Sequence, residues 1–290
     1  MQGAILKAFT YENNGGNGAG VIILDEQIND EEKQSIAKQI GLSETAFVKQ
    51  IDEKNFDVSF FTPLCEVDLC GHATIATFYY LANLGKIKGD TETKKVYQNT
   101  KAGKLEIEIK FENNNVEYVL MQQSSPKIYK EMIGQDKKDI AVSLNIDENN
   151  IGLNDFDIQP TVVSTGLKDI IIPVKTRKIL NEIKVNNDMI MSVSLENDVV
   201  GYHVFTIDDN IVYARNFAPA VGIDEECATG TSNGALGSLL YEKGIMKEGF
   251  QVIQGEAMNE PSLVYVKINY QDGQMDVRVG GKALVIQNYL

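Results

Sequence analysis

Hydrophobic and β-branched positions along the chain fall mainly into short runs, many of them alternating with polar residues. Strands are predicted over Ile5–Thr10, Gly20–Leu24, Ala46–Gln50, Phe56–Phe61, Lys104–Phe111 and Val116–Gln122. A second series covers Thr161–Ser164, Ile170–Val174, Met191–Ser194, His203–Thr206, Val212–Asn216, Ser262–Ile268 and Met275–Val279. Helical spacing is clearest over Asp30–Ile40, with Asp30 as the cap and Ile36, Ala37 and Ile40 on one face. Ala73–Leu84 and Thr231–Tyr241 are apolar on nearly every side, the mark of buried helices. Lys175–Leu180 is a short fourth helix, Asn113–Asn115 a hairpin turn, and Asp147–Asp157 a polar connecting loop.

Two stretches repeat. Gly71-His72-Ala73-Thr74-Ile75-Ala76, then Leu81 and Gly85, lies on Gly230-Thr231-Ser232-Asn233-Gly234-Ala235, then Leu240 and Gly244, at a constant offset of 159. Upstream, Phe61-Thr62-Pro63 lies on Phe217-Ala218-Pro219 at an offset of 156. Each copy reads as strand, Phe-x-Pro turn, loop and buried helix closed by Gly, which points to duplication. The expected architecture is α+β, with a mostly antiparallel sheet wrapped round a central helix, twice over. The expected halves are residues 1–122, completed by 278–290, and residues 123–277. A ligand cleft is expected between them.

Composition narrows the function. The 290 residues are 43% hydrophobic and 23% charged, without Trp, so a sizeable core can form. The 27 basic against 41 acidic residues leave a net charge of −14, which disfavours nucleic acid as a partner. Only Arg177, Arg215 and Arg278 could offer a guanidinium fork, so backbone amides become the expected anchors for an acidic ligand. Cys65, Cys70 and Cys227 make no even disulfide framework. No signal-like start or run of ~18 apolar residues is seen, so a soluble, cytoplasmic protein without membrane contact is expected.

Three constellations could carry chemistry. In Cys70-Gly71-His72-Ala73, Gly71 allows close backbone approach, and helix-start amides await a carboxylate. His72 sits in the first turn, where it could exchange a proton. In Glu225-Glu226-Cys227-Ala228-Thr229-Gly230-Thr231-Ser232, Cys227 at a helix start is a candidate thiolate, while Glu225 and Glu226 could merely complement the helix dipole. In Gly41-Leu42-Ser43-Glu44-Thr45-Ala46-Phe47-Val48, apolar surroundings would raise the Glu44 pKa toward the range of a general acid or base. The glycine-rich turn Gly15–Gly20 lacks the strand–GxGxxG–helix order of a dinucleotide site.

Together, Gly-Asn-x-Ala-Gly-Val (16–21), Ser-Glu-Thr-Ala-Phe-Val (43–48), Phe-Thr-Pro…Glu-Val-x-Leu-Cys-Gly-His-Ala-Thr (61–74) and Ala-Thr-Gly-Thr-Ser-Asn-Gly-Ala-Leu-Gly (228–237) resemble the phenazine-biosynthesis PhzF-like isomerase family. The resemblance implies a diaminopimelate epimerase-like fold with two barrel-like halves, each enclosing a helix. It matches Glu44 to the family's acid–base glutamate, and Gly71, His72, Gly230 and Thr231 to residues bordering substrate. Where the family usually has Asp-Pro before Ala-Thr-Gly, this chain has Glu226-Cys227, and it has Gly18 where Pro is common.

The leading expectation is a cofactor-independent isomerase acting on a small carboxylate-bearing metabolite, with no metal or organic cofactor. Its expected catalytic residues are Glu44, His72, Glu226, Cys70 and Cys227. Asn17, Ser43, Gly71, Ala73, Gly230, Thr231 and Ser232 are expected to bind substrate, and a homodimer is the expected assembly. One alternative is a two-thiol racemase using Cys70 and Cys227, although at the 159 offset these face Thr229 and Asp68 and are not symmetric partners. A catalytically idle binding protein on the same fold is another. A zinc site of Cys65, Cys70, His72 and Cys227 is disfavoured because Cys-x4-Cys-x-His is not a usual zinc spacing.

Overall fold

The computed structural model describes residues 1–271 and 273–289. The chain forms two compact units, Met1–Gln122 with the chain from Gly280 onward, and Gln123–Val279.

The first unit runs β1 (Gln2–Ala8), β2 (Asn17–Ile23), α1 (Asp30–Ile40), β3 (Glu44–Gln50), β4 (Asn55–Phe61), β5 (Glu66–Val67), α2 (Gly71–Asn83), β6 (Thr93–Thr100), β7 (Gly103–Glu112) and β8 (Asn115–Gln122). The second runs β9 (Lys127–Glu131), α3 (Gln135–Ser143), β10 (Thr161–Ser164), β11 (Lys168–Pro173), α4 (Arg177–Glu182), α5 (Asn187–Glu196), β12 (Gly201–Asp208), β13 (Ile211–Ala218), β14 (Ile223–Glu226), α6 (Gly230–Glu242), β15 (Gly249–Gln254), β16 (Ser262–Gln271) and β17 (Gln274–Gly281). The last strand, β18 (Ala283–Asn288), returns to pair with β1.

Pairing follows one plan in both units. β1–β2 and β10–β11 are antiparallel, β2–β3 and β11–β12 parallel, and β3–β4 and β12–β13 antiparallel. The strand after each buried helix returns parallel to the strand before it, β6 on β4 and β15 on β13, then turns back antiparallel. In the first unit the sheet surrounds α2, which packs on β1, β2, β3, β7, β8 and β18. In the second, α6 packs on β10, β11, β12 and β16. The α+β class and the helix-centred sheets are as the sequence predicts.

Burial explains why these two helices are apolar all round. Ala73, Ile75, Ala76, Phe78 and Leu81 of α2 are inaccessible or nearly so, as are Ala235, Leu236, Leu239 and Leu240 of α6. Phe78 meets Phe56 edge-to-face at 5.5 Å between ring centres. Both helices stop the same way. Gly85 (φ +69°) and Gly244 (φ +67°) take the left-handed conformation, and the next residues' amides, Lys86 and Ile245, bond to Leu81 and Leu240 carbonyls. Gly is the residue that adopts this cap without strain.

Three local readings change. Met191–Ser194 lies inside α5, where Ile190, Val193 and Ser194 form a buried face and the Asn186 side chain accepts from the Met189 amide. Alternation over four residues imitated a strand, but helical spacing over ten prevailed. The cap of α1 is Asn29, which accepts from the Glu32 amide, and Asp30 stands in the first turn. Strands β5, β6, β9, β14, β15 and β18 and helix α3 escaped prediction. β9 is exposed throughout, so backbone pairing rather than an apolar face makes it a strand.

Candidate active site

Glu44 opens β3, directly after the turn that ends α1. Gly41 closes that helix in the left-handed conformation (φ +70°), its amide bonding to the Ala37 carbonyl. Glu44 then enters register opposite Ala19 of β2, and the next residue, Thr45, pairs with Phe61. Thr45, Ala46, Phe47 and Val48 are all buried, so both faces of β3 are covered and its first residue is firmly placed.

Across from it, Cys70 is the N-cap of α2 and His72 lies in the first turn. Glu44 Oε2 stands 3.1 Å from His72 Nε2. The hydroxyl of Ser43 lies 3.4 Å from the same nitrogen, and the Cys70 sulfur 3.6 and 3.7 Å from the two ring nitrogens. Oε2 is enclosed, and among the described residues it finds no well-directed hydrogen bond, its approach to Nε2 being close in distance but off-axis.

The electrostatics of the pair reverse the expectation for Glu44. Burial pushes its carboxyl upward, but His72, with lesser help from Ser43 and Cys70, outweighs burial and leaves it below the usual range. Burial likewise pulls His72 down, yet the Cys70 sulfur and the Glu44 carboxylate beside it hold the imidazole well above its ordinary value. Both shifts favour the ionised pair, a carboxylate facing an imidazolium.

The amides at the start of α2 have no side-chain cap, and no acidic residue stands in its first turn. The start of α6 is the same. Helix α1, with Asn29 as cap and three acids in its first turn, shows the ordinary surface solution. The two buried helices thus keep donors that a ligand carboxylate could use. Each arginine, by contrast, already faces a carboxylate: Arg177 with Glu256, Arg215 with Glu225, and Arg278 with Asp276. The Arg215–Glu225 pair is bidentate at 2.8 and 2.9 Å, so Glu225 serves this fork rather than the helix start.

In the second unit, the start of α6 is held by a buried polar chain. Ser232 donates to Asp169 (2.6 Å) and accepts from Asn216, whose amide also lies 3.3 Å from His203 Nδ1. His203 Nε2 lies 3.2 Å from Asn233 Oδ1, and Asn233 donates to the Thr229 carbonyl and to Gln254. Gln254 donates to the Glu226 carbonyl and the Thr229 hydroxyl, and Thr229 donates to the Glu226 carboxylate at 2.7 Å. Burial raises Asp169 to about 7 and lowers His203 to about 4, so His203 is neutral with its proton on Nε2.

A family model described as phenazine biosynthesis-like protein (PhzC-PhzF) matches residues 6–288. The chain belongs to the phenazine biosynthesis-like family. It is 35% identical to an uncharacterized isomerase of Clostridium acetobutylicum, over 97% of this chain and 94% of that one. A PhzF-family phenazine biosynthesis protein of Bacillus anthracis superposes with a TM-score of 0.83 at 27% identity, covering 100% of this chain and 98% of that one. A probable proline racemase from Agrobacterium radiobacter shares the fold at 12% identity, with a TM-score of 0.62 over 100% of this chain and 92% of that one. The Clostridium acetobutylicum relative is named an isomerase, and the Agrobacterium radiobacter neighbour shows the shared fold.

Register shows how this phenazine biosynthesis-like protein has differentiated its two copies. Phe61 and Phe217 are repeat equivalents; Phe61 pairs with Thr45, and Phe217 with Tyr202. The residues before them, Glu44 and Gly201, are therefore equivalent, facing Ala19 and Asp169 respectively. A Cβ on Gly201 would meet the Phe217 carbonyl oxygen at 2.0 Å, so no glutamate fits there. His72 has Thr231 as its counterpart and Cys70 has Thr229. Among the described residues, the carboxylate–imidazole pair exists in the first unit alone.

The structure places the other sequence-derived residues unequally. Asn17, Gly71, Gly230 and Thr231 are half-buried, whereas Ala73, Ser232 and Cys227 are buried. The Ser232 hydroxyl is committed to Asp169 and Asn216, and Ala73 has only its backbone amide to offer. Cys227 is corrected on two counts. It lies three residues before α6, and burial raises its thiol, opposite to an activated thiolate. Cys65 is exposed in the turn after β4; the metal-donor group formed by the first unit is Glu44, Cys70 and His72. Sequence reasoning missed Asp169, His203, Asn216 and Gln254. Asp169 carried a usable signal, a lone acid leading directly into Ile170-Ile171-Ile172.

No helix of the described chain is long and apolar enough to cross a membrane.

Proposed function

We propose that the chain is a cofactor-independent isomerase that moves a proton on a small carboxylate-bearing metabolite. The observation that carries this reading is the 3.1 Å approach of Glu44 to His72 at the start of α2. Glu44, ionised at neutral pH, takes a proton from carbon beside an activating group and returns it elsewhere. Positioned acid–base groups of this kind contribute roughly 10²–10⁴-fold. His72, carrying its proton, stabilises the negative charge that develops on the activating group. The uncapped amides of Gly71, His72 and Ala73 receive a substrate carboxylate.

Incubation in D2O with a panel of small acids, followed by NMR, tests this directly, because C–H exchange reports proton abstraction without knowledge of the product. Exchange in the wild type that Glu44→Gln abolishes supports the reading. Equal exchange by both would remove Glu44 as the base.

A further inference from the structure

We infer that Glu44, Cys70 and His72 also form a binding site for a borderline-soft divalent cation of the zinc class, which silences the site reversibly. The three donor atoms, a carboxylate oxygen, an imidazole nitrogen and a sulfur, all lie within 4.8 Å of one another. That is the mixed O, N, S donor set zinc accepts.

Spacing makes the trio more than a chance meeting of polar groups. Zinc bonds of about 2.3 Å to sulfur, about 2.05 Å to nitrogen and about 2.1 Å to oxygen, held at tetrahedral angles, separate sulfur from nitrogen by about 3.6 Å and nitrogen from oxygen by about 3.4 Å. Here sulfur and Nε2 are 3.7 Å apart, and Nε2 and Oε2 are 3.1 Å apart. Adjustments of a few tenths of an ångström suffice for these two pairs, while the sulfur and the carboxylate oxygen, within 4.8 Å of each other, need to stand about 3.6 Å apart. The sulfur is almost equidistant from both ring nitrogens, so the ring must also turn to aim its Nε2 lone pair at the ion.

A second observation points to a ligand. The enclosed Oε2 of Glu44 has no directed hydrogen bond among the described residues, which a buried carboxylate oxygen ordinarily avoids. Three protein ligands leave the fourth tetrahedral position open to water. On binding, the imidazolium and any thiol proton leave to solvent, and three donor–metal bonds replace the ion pair. The ion then occupies the Glu44 lone pair that would take the substrate proton and displaces the Nε2 proton with which His72 would stabilise developing charge. Metal binding does not require that the chain be an isomerase, so the two proposals can fail separately.

The test is direct titration of the apoprotein with Co2+ and with Zn2+, without any substrate. One equivalent of Co2+ should bind with thiolate-to-metal charge-transfer absorption, and Zn2+ should displace it. Cys70→Ser should eliminate that band, and both Cys70→Ser and the nearly isosteric Glu44→Gln should weaken binding at least ten-fold. Cys65→Ser should bind as the wild type does. Absence of stoichiometric binding would overturn the proposal. So would a band that survives Cys70→Ser or disappears with Cys65→Ser, or wild-type affinity in a folded Glu44→Gln protein.

Discussion

Glu44 and His72, 28 residues apart in the chain, meet at 3.1 Å because β3 and α2 both begin at the same place in the first unit. Each perturbs the other in the direction of the ionised pair. For Glu44, whose value is lowered, the stabilisation is present above its ordinary 4.5 and is lost as pH falls through the folded value. For His72, whose value is raised, it is fully present below 6.5 and is lost as pH rises through the folded value. The chain has two histidines, and His203 remains neutral down to about 4, so proton NMR follows His72 almost alone. Its titration midpoint should lie well above 6.5 in the wild type and fall in Glu44→Gln. An unchanged midpoint would mean that the two groups are not coupled.

Asp169 and His203 should nearly cancel each other's effect on stability across the acid range. Between about pH 4 and 6.5 the folded state holds a proton on Asp169 and none on His203, while the unfolded state does the reverse. Equal proton counts give no slope from these two groups. Asp169→Asn should unmask His203: the variant's stability, relative to wild type, should rise with pH through that window by up to about 1.4 kcal/mol per pH unit. Urea unfolding at several pH values measures this. A flat difference would show that Asp169 titrates normally, because His203 is present in both proteins and cancels in the comparison.

Gln254 holds the turn that presents Glu226, through the Glu226 carbonyl, the Thr229 amide and hydroxyl, and Asn233. Gln254→Leu leaves several of these groups buried without partners, at about 1–3 kcal/mol for each one that water cannot reach. Denaturant midpoints should fall accordingly, and Gln254→Glu, which keeps the acceptors but loses the donors, should lie between the two. A Gln254→Leu protein as stable as wild type would place the organisation of this turn elsewhere.

The cysteines should divide by accessibility. Cys65 is exposed and should react with iodoacetamide quickly, while buried Cys227, its thiol raised by burial, should react slowly until the protein unfolds. Cys227→Ser should keep substantial C–H exchange activity on any substrate the wild type turns over. Severe loss in both Cys227→Ser and Cys70→Ser, with the fold preserved, would favour a two-thiol racemase instead.

Residue order alone determined much of this protein. Apolar positions without a polar stripe marked α2 and α6 as buried, because a helix with no wet face must be enclosed. The 159-residue offset from Gly71–Gly85 to Gly230–Gly244 revealed the repeat, since both helices need the same left-handed glycine to stop. Family motifs singled out Glu44 and His72. Tertiary structure alone decided their ionisation: the sequence could show apolar neighbours for Glu44 but not an imidazole at hydrogen-bonding distance, and the nearby charge outweighs burial. It also decided the network from Asp169 to Glu226, whose members come from β11, β12, β13, β14, α6 and β15. Strands carry no local code for which distant polar side chains they face. That depends on register, and register is settled only when the sheet closes round its helix.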